Sequence, residues 1–370
     1  MTAALLERLL VTPAEALATT LTEADWAEIG ARWSDWANQV WTASRSGDHG
    51  RALAIQTLLI HLLALAAPES APALALAWAN LGHVQAAAGQ IADARASWTS
   101  AHALCAGPPP NRAARADIAL NLGRSYWLEG DYTAALPWLE QATADYALLP
   151  DSMSAGFAFG WLGDVLVGLG RPDEAIPAYR RSHDIFVGLG QPARAAERLA
   201  GLAEAELAAG HVETGLAALM DAVAEAEASS DDACLFRLLE QLAHAQVVAA
   251  QDYPAALATA QRACALAEGA ADPELRREAA TAHWLAGQIC QALARWDEAT
   301  GHYEQAAAGA PADDPQAQAL CQETLAGAYA HVGRYEAAQA AYERALAFYT
   351  GRSDLASSAV RVLGELGQLA

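Results

Sequence analysis

Residues 119–142 read ALNLGRSYWLEGDYTAALPWLEQA, and their order of small, turn-forming and large residues recurs elsewhere in the chain. It returns in WANLGHVQAAAGQIADARASWTSA (78–101), FGWLGDVLVGLGRPDEAIPAYRRS (159–182) and HWLAGQICQALARWDEATGHYEQA (283–306). In each segment a small residue is followed seven positions later by a turn position. A second small residue comes five positions after the turn, and a large residue four after that. Self-similarity at a fixed spacing indicates a repeat architecture, in which each unit buries its apolar face against the next.

Two small positions define the frame, which fits eight segments. The first reads Val40, Gly82, Gly123, Gly163, Ala203, His244, Gly287 and Ala326. The second reads Ala52, Ala94, Ala135, Ala175, Gly215, Ala256, Ala299 and Ala338, so the period is close to 41 residues. Two helices approach closely only where one of them carries a small residue. The two positions therefore predict where the helices of an antiparallel pair cross.

The turn position is usually glycine, which adopts the left-handed conformation that ends a helix. It reads Gly47, Gly89, Gly130, Gly170, Gly210 and Gly333, with Gln251 and Ala294 as the exceptions. Proline, aspartate and serine separate the pairs at 107–110, 150–152, 191–192, 229–232, 272–273 and 311–315. Alanine dominates the apolar residues and no segment alternates like a strand, so the sequence predicts an all-α fold.

The charge balance restricts the partners. Acidic side chains number 44 against 22 basic ones, all arginine, and the net charge is −22. Such a surface repels phosphate, so the sequence predicts neither nucleic acid nor an anionic membrane as a partner. A simpler reading is that the charge keeps an apolar repeat protein soluble.

The cysteines and the N-terminus indicate the compartment. The five cysteines are widely spread, which is typical of buried thiols in a reducing compartment. The first residues, MTAALLERLL, have no basic segment or cleavage site typical of a signal peptide. The stretch LLIHLLALAA is too short to span a bilayer. We therefore expect a cytoplasmic protein, bacterial by its lysine-free, alanine- and arginine-rich composition.

The frame resembles the tetratricopeptide family, most clearly in NLGRSYWLEGDYTAALPWLEQA. Its period is longer than the usual 34 residues of that family and is similar to the repeats of kinesin light chains and bacterial peptide-sensing regulators. The resemblance implies a right-handed superhelical solenoid of about eight antiparallel helix pairs. We expect an N-terminal helical cap at 1–32, eight repeats at 33–353 and a C-terminal capping helix at 354–370.

No motif for catalysis or cofactor binding is present, so the sequence predicts no enzyme, no cofactor and no metal site. It has no H-x-x-x-H, C-x-x-C, G-x-S-x-G or phosphate-binding glycine loop. His283 and Cys290 lie seven residues apart on one helix, which alone is weak evidence for a metal.

The resemblance also implies which residues face the concave groove. They lie two before, one after and four after the first small position, and three asparagines recur among them: Asn38, Asn80 and Asn121. An amide donates and accepts, so this series could hold a peptide backbone. The other candidates are Trp41, His83, Arg124, Trp127, Trp161 and Asp164. In the second half, Leu242, Leu285 and Val248 indicate an apolar patch or a contact with a cap.

Alternatives remain for the residues and for the function. The asparagines could form hydrogen bonds with a neighbouring helix, and the tryptophans could serve only in packing between helices. The first hypothesis is an adaptor that binds a protein or peptide in the groove. The others are a sensor that acts on a separate output protein, and a scaffold that assembles into a homo-oligomer.

Overall fold

The computed structural model describes residues 3–66, 70–107, 111–229, 231–310, 314–350, 352 and 355–369. Over these ranges the chain forms twenty α-helices and no β-strand, which confirms the all-α prediction. The chain divides into two compact units, Met1–Leu189 and Gly190–Ala370.

The first unit begins with two short helices and continues with four antiparallel pairs. Its helices are α1 Ala3–Leu10, α2 Ala14–Thr20, α3 Glu23–Arg45, α4 His49–Ala66, α5 Ala71–Ala87, α6 Ile91–Cys105, α7 Arg112–Trp127, α8 Tyr132–Tyr146, α9 Met153–Gly168 and α10 Pro172–Gly188. From α3 onward each odd-numbered helix pairs with the next one, and the second helix of a pair packs on the first helix of the following pair. This is the stacking that the repeat predicts.

The second unit has the same arrangement with one insertion. Its helices are α11 Pro192–Ala208, α12 Val212–Ser229, α13 Asp232–Val248, α14 Tyr253–Gly269, α15 Pro273–Arg277, α16 Ala279–Ala292, α17 Trp296–Gly309, α18 Pro315–His331, α19 Tyr335–Tyr349 and α20 Ala356–Leu369. The pairs are α11–α12, α13–α14, α16–α17 and α18–α19, and α15 is a single turn between two of them. Eight pairs are therefore present in the described residues, as predicted.

The two small positions lie where the helices of a pair cross. A methyl group added to Gly123 would lie 2.6 Å from Cγ of Leu139, and one added to Gly163 would lie 2.7 Å from the Tyr179 ring. Gly82 meets Trp98 and Gly287 meets Tyr303 in the same way. The second small residues are buried in all eight pairs. The frame thus marks the crossings.

The turns keep one conformation whether or not glycine is present. The six predicted glycines all have positive φ, between 71° and 85°. Gln251 and Ala294 take the same position with φ of 54° and 57°. The fold therefore imposes the left-handed turn on residues that do not favour it.

The predicted N-terminal boundary at residue 32 falls inside a helix. Helix α3 begins at Glu23, because Thr22 accepts from the Asp25 backbone and the Asp25 side chain accepts from the Thr22 backbone. The predicted breakers at 108–110 and 311–313, Ser230, and the boundary at 353–354 lie outside the described residues, as do Met1, Thr2 and Ala370.

Helix α4 begins at His49, before the apolar stretch that starts at Leu58. Among the described helices of at least eighteen residues it is the one that is apolar enough to cross a membrane by length and composition. It packs between α3 and α5, where Ala52, Ile55 and Leu62 are fully buried. These three residues belong to the hydrophobic core of the first unit.

Candidate functional site

Inward positions of α5 and α7 line one cavity of about 320 Å³ in the first unit. Three of the residues predicted from the sequence, His83, Asn121 and Arg124, lie in its wall together with Trp98 and Glu129. The repeat register places them there, because His83 and Arg124 each follow the glycine of a helix crossing.

The His83 ring is half-buried and packs edge-on against Trp98, with ring centroids 5.6 Å apart. Burial lowers the pKa of His83, and the nearby Arg124 charge lowers it further against the opposing effect of Asp117. The imidazole is therefore neutral near pH 7 and offers one donor and one acceptor.

The asparagines differ in their surroundings. Asn121 donates from Nδ2 to the Asp117 carbonyl oxygen of its own helix at 2.8 Å, which leaves its side-chain carbonyl oxygen to accept. Asn38 is exposed on α3 and Asn80 is half-buried on α5, and neither amide has a hydrogen-bond partner among the described residues. Neither lines the cavity, so one of the three asparagines belongs to it.

An aromatic cluster lies beside the cavity. The Trp127 and Trp161 ring centroids are 6.1 Å apart, and Phe157 stacks on Trp161 at 5.6 Å. The Arg124 guanidinium carbon lies 5.5 Å from the Trp161 ring, a cation–π geometry. Arg124 is exposed and has no carboxylate partner in the described part of the chain.

The other two predicted residues lie elsewhere. Trp41 is 39% exposed on α3 and does not line the cavity. Asp164 accepts a hydrogen bond from the Tyr179 hydroxyl at 2.7 Å, next to the crossing of Tyr179 with Gly163. Asp164 therefore ties α9 to α10.

Sequence reasoning missed Arg95, because it lies on the second helix of its pair. Its guanidinium donates to the Ser125 hydroxyl at 2.9 Å and to the Ser125 carbonyl at 2.7 Å. It also lies 3.9 Å from the Tyr126 ring centroid and pairs with Glu129 at 2.7 Å. These contacts fix the wall of the cavity, and Arg124 is the basic residue of that wall without a carboxylate partner among the described residues.

The second unit has a larger cavity, of about 650 Å³, between α11 and α13. Its wall includes Glu204, Leu207 and Val248 from the inward series, whereas Leu242 is buried in the core. Glu240 also lines it and was missed. Burial and the neighbouring Glu278 raise the pKa of Glu240 to about 7.

The sequence predicts no metal site, yet three possible ligands meet in the second unit. Cys264, His283 and His302 place their ligand atoms within 4.8 Å of one another. They come from three helices, so a search for short spacings overlooks them. The thiol involved is Cys264 and not Cys290.

Two segments of the chain match a known protein family. Residues 73–147 and 278–351 match the family model described as Tetratricopeptide repeat. These two segments thus carry tetratricopeptide repeats, as the sequence predicts. No match to the chain was found among curated proteins.

Solved structures share the fold at low identity. The apo form of RapI has a TM-score of 0.59 at 11% identity, over 90% of this chain and 97% of that one. A signal transduction ATPase with a tetratricopeptide repeat sensor, from Pyrococcus horikoshii, has a TM-score of 0.58 at 16% identity; the match covers 100% of this chain and 53% of that one. Aspartyl phosphate phosphatase F from Bacillus subtilis has a TM-score of 0.50 at 13% identity, over 90% and 93%. These similarities establish the fold alone.

Proposed function

We propose that the chain is a non-enzymatic adaptor that binds a peptide segment in the cavity between α5 and α7. The observation that carries the proposal is that His83, Asn121 and Arg124, from successive repeats, line one cavity. Stacked helix pairs hold these side chains on rigid elements, which favours binding because little order is lost.

The chemistry of the wall indicates the ligand. The Arg124 guanidinium, which has no carboxylate partner in the part of the chain that the structure describes, suits a carboxylate, because it can bind one with two parallel hydrogen bonds. The Asn121 carbonyl oxygen can accept a backbone N–H, and Trp127 and Trp161 offer an apolar surface. Because the chain carries a net charge of −22, long-range repulsion disfavours a strongly acidic ligand. The ligand is therefore a peptide with a carboxylate, such as a chain terminus, in a neutral or basic stretch.

Selection from a displayed peptide library, followed by calorimetry on the full chain, tests this proposal. Arg124→Ala should weaken binding of the selected peptides by about 1–3 kcal/mol, or roughly fivefold to 150-fold. Asn121→Ala should weaken it less, because its amide donor already bonds its own helix.

Arg112→Ala is the matched control, since Arg112 is exposed on the same helix and lies outside the cavity wall. If Arg112→Ala and Arg124→Ala cost the same affinity, the effect is general electrostatics and the proposed site is wrong.

A second candidate is a sensor module whose output lies on a separate protein. The P. horikoshii neighbour, which is described as having a tetratricopeptide repeat sensor, favours this candidate. A third is self-assembly into a homo-oligomer, which light scattering of the purified chain distinguishes from the other two. We also propose that the protein is bacterial and cytoplasmic, and that it binds neither nucleic acid nor a membrane.

A further inference from the structure

Three donor side chains converge inside the second unit. Cys264 comes from α14, His283 from α16 and His302 from α17, and their ligand atoms all lie within 4.8 Å of one another. The Nδ1 atoms of the two histidines are 3.0 Å apart. We propose that these residues form a binding site for a transition-metal ion of the zinc type.

The spacing fits tetrahedral coordination. Zinc–nitrogen bonds of about 2.0–2.1 Å and zinc–sulfur bonds of about 2.3 Å place two nitrogen ligands about 3.3 Å apart, and a nitrogen and a sulfur about 3.6 Å apart. The two imidazoles already stand near this separation. The thiol lies at most 4.8 Å from either nitrogen and needs to approach by about 1.2 Å at most.

Glu268 orients the first histidine. Its Oε1 lies 2.8 Å from Nε2 of His283, so the carboxylate holds a proton on Nε2 and leaves the Nδ1 lone pair directed at the other two ligands. An outer carboxylate on the distal nitrogen of a ligating histidine is a common feature of zinc sites. Glu268 lies four residues after Cys264, so α14 supplies the Cys264 ligand and also the carboxylate that orients His283.

The helices fix the positions of the three ligands. Cys264 and His283 are buried, and His302 is half-buried. Tyr303, next to His302, packs on Gly287 at the α16–α17 crossing and donates its hydroxyl to Gln291 at 2.9 Å. The crossing therefore sets the distance between the two histidines, and His302 is the ligand that is partly exposed to solvent.

Binding is balanced in protons and charge. The Cys264 thiol loses its proton to solvent as the sulfur–metal bond forms, and the His302 ring proton moves to its other nitrogen. A divalent ion with one thiolate keeps one positive charge, which the Glu268 carboxylate offsets. Three protein ligands leave the fourth position for water or an added ligand.

The test uses the full chain, stripped with a chelator, kept reduced, and titrated with Co²⁺ alone. The expected result is one Co²⁺ per chain with a thiolate-to-cobalt charge-transfer band, displaced by Zn²⁺. Zn²⁺ should also raise the melting temperature, because it binds the folded state. Cys264→Ser should abolish the band. Cys321→Ser, which removes a thiol on α18 outside the cluster, should retain it.

Two further variants keep the test decisive. Glu268→Gln should retain the band and weaken Co²⁺ binding about tenfold to a hundredfold, as loss of an outer carboxylate does. His302→Ala, checked for unchanged helicity by circular dichroism, should lose stoichiometric binding even if Cys264→Ser does not fold. The site would be overturned if no charge-transfer band appears at one equivalent of Co²⁺. It would also be overturned if folded Cys264→Ser or His302→Ala protein gives a band equal to that of the wild type. The three residues would then form a buried polar network without a metal.

Discussion

A single absent methyl group decides how closely the helices of a pair approach. Gly123→Ala should lower the unfolding free energy by about 1–3 kcal/mol, because the new carbon would lie 2.6 Å from Cγ of Leu139. Urea denaturation followed by circular dichroism measures the change. Gly30→Ala is the control: Gly30 is helical and exposed, with nothing within 4 Å of the added carbon. That variant should gain up to about 1 kcal/mol, and equal losses in both variants would mean that the crossing is not where the frame places it.

The half-buried carboxyl group of Glu240 gives a pH-dependent contribution to stability. Its pKa rises in the folded chain from 4.5 to about 7, because of burial first and Glu278 second. The folded state therefore binds the proton more tightly, and this contribution to stability is lost as the pH rises from about 4.5 to 7.

Glu240→Gln should remove that loss. The variant should match the wild type near pH 4 and exceed its melting temperature at pH 8, where the wild type carries a half-buried charge. Glu213→Gln, an exposed carboxyl on α12, is the control and should leave the pH profile unchanged. A Glu240→Gln profile parallel to that of the wild type would contradict the argument.

At the scale of the helix pair, the turn tolerates residues that strain it. Ala294 adopts φ of 57°, where an L-residue with a side chain costs about 1–2 kcal/mol relative to the right-handed region. Ala294→Gly should therefore raise the unfolding free energy by about 0.5–1 kcal/mol, after the greater entropy of unfolded glycine is deducted. Gly333→Ala is the reverse change at φ of 76° and should lower it by a similar amount. Thermal unfolding of the two variants gives the comparison, and the same sign for both would refute it.

The pair could be predicted from sequence because its determinants are local. Small residues at the crossing and a left-handed turn between them recur at one spacing, so eight pairs follow from the frame. The start of α3 was missed because a capping box at Thr22, outside the frame, sets it.

The lining of the candidate cavity could be predicted only in part, for a physical reason. His83, Asn121 and Arg124 could be placed in that lining because the register determines which way a helix residue points. Asn38, Trp41 and Asn80 share that register and still lie outside the cavity wall, because a pocket depends on how neighbouring helices pack. The Cys264–His283–His302 cluster joins three helices, and no spacing within one segment encodes it.

At the scale of the whole molecule, the net charge of −22 opposes compaction. The ion pairs that oppose this repulsion are mostly on the surface, as in Arg171–Glu174 and Arg295–Glu298. Exposed pairs of this kind contribute little, about 0–1 kcal/mol each. Added salt should therefore change the repulsion between acidic side chains more than it changes these ion pairs.

Raising NaCl from low ionic strength to about 0.5 M shortens the screening length to below 10 Å. Repulsion between carboxylates spread over the surface should then weaken more than the close ion pairs do, so the melting temperature should rise by several degrees. Scanning calorimetry of the full chain at constant pH measures the shift. KCl at equal ionic strength is the control and should give the same rise, because screening depends on charge and concentration and not on the cation. A fall in melting temperature with both salts would mean that the surface ion pairs stabilise the fold more than the excess acidic charge destabilises it.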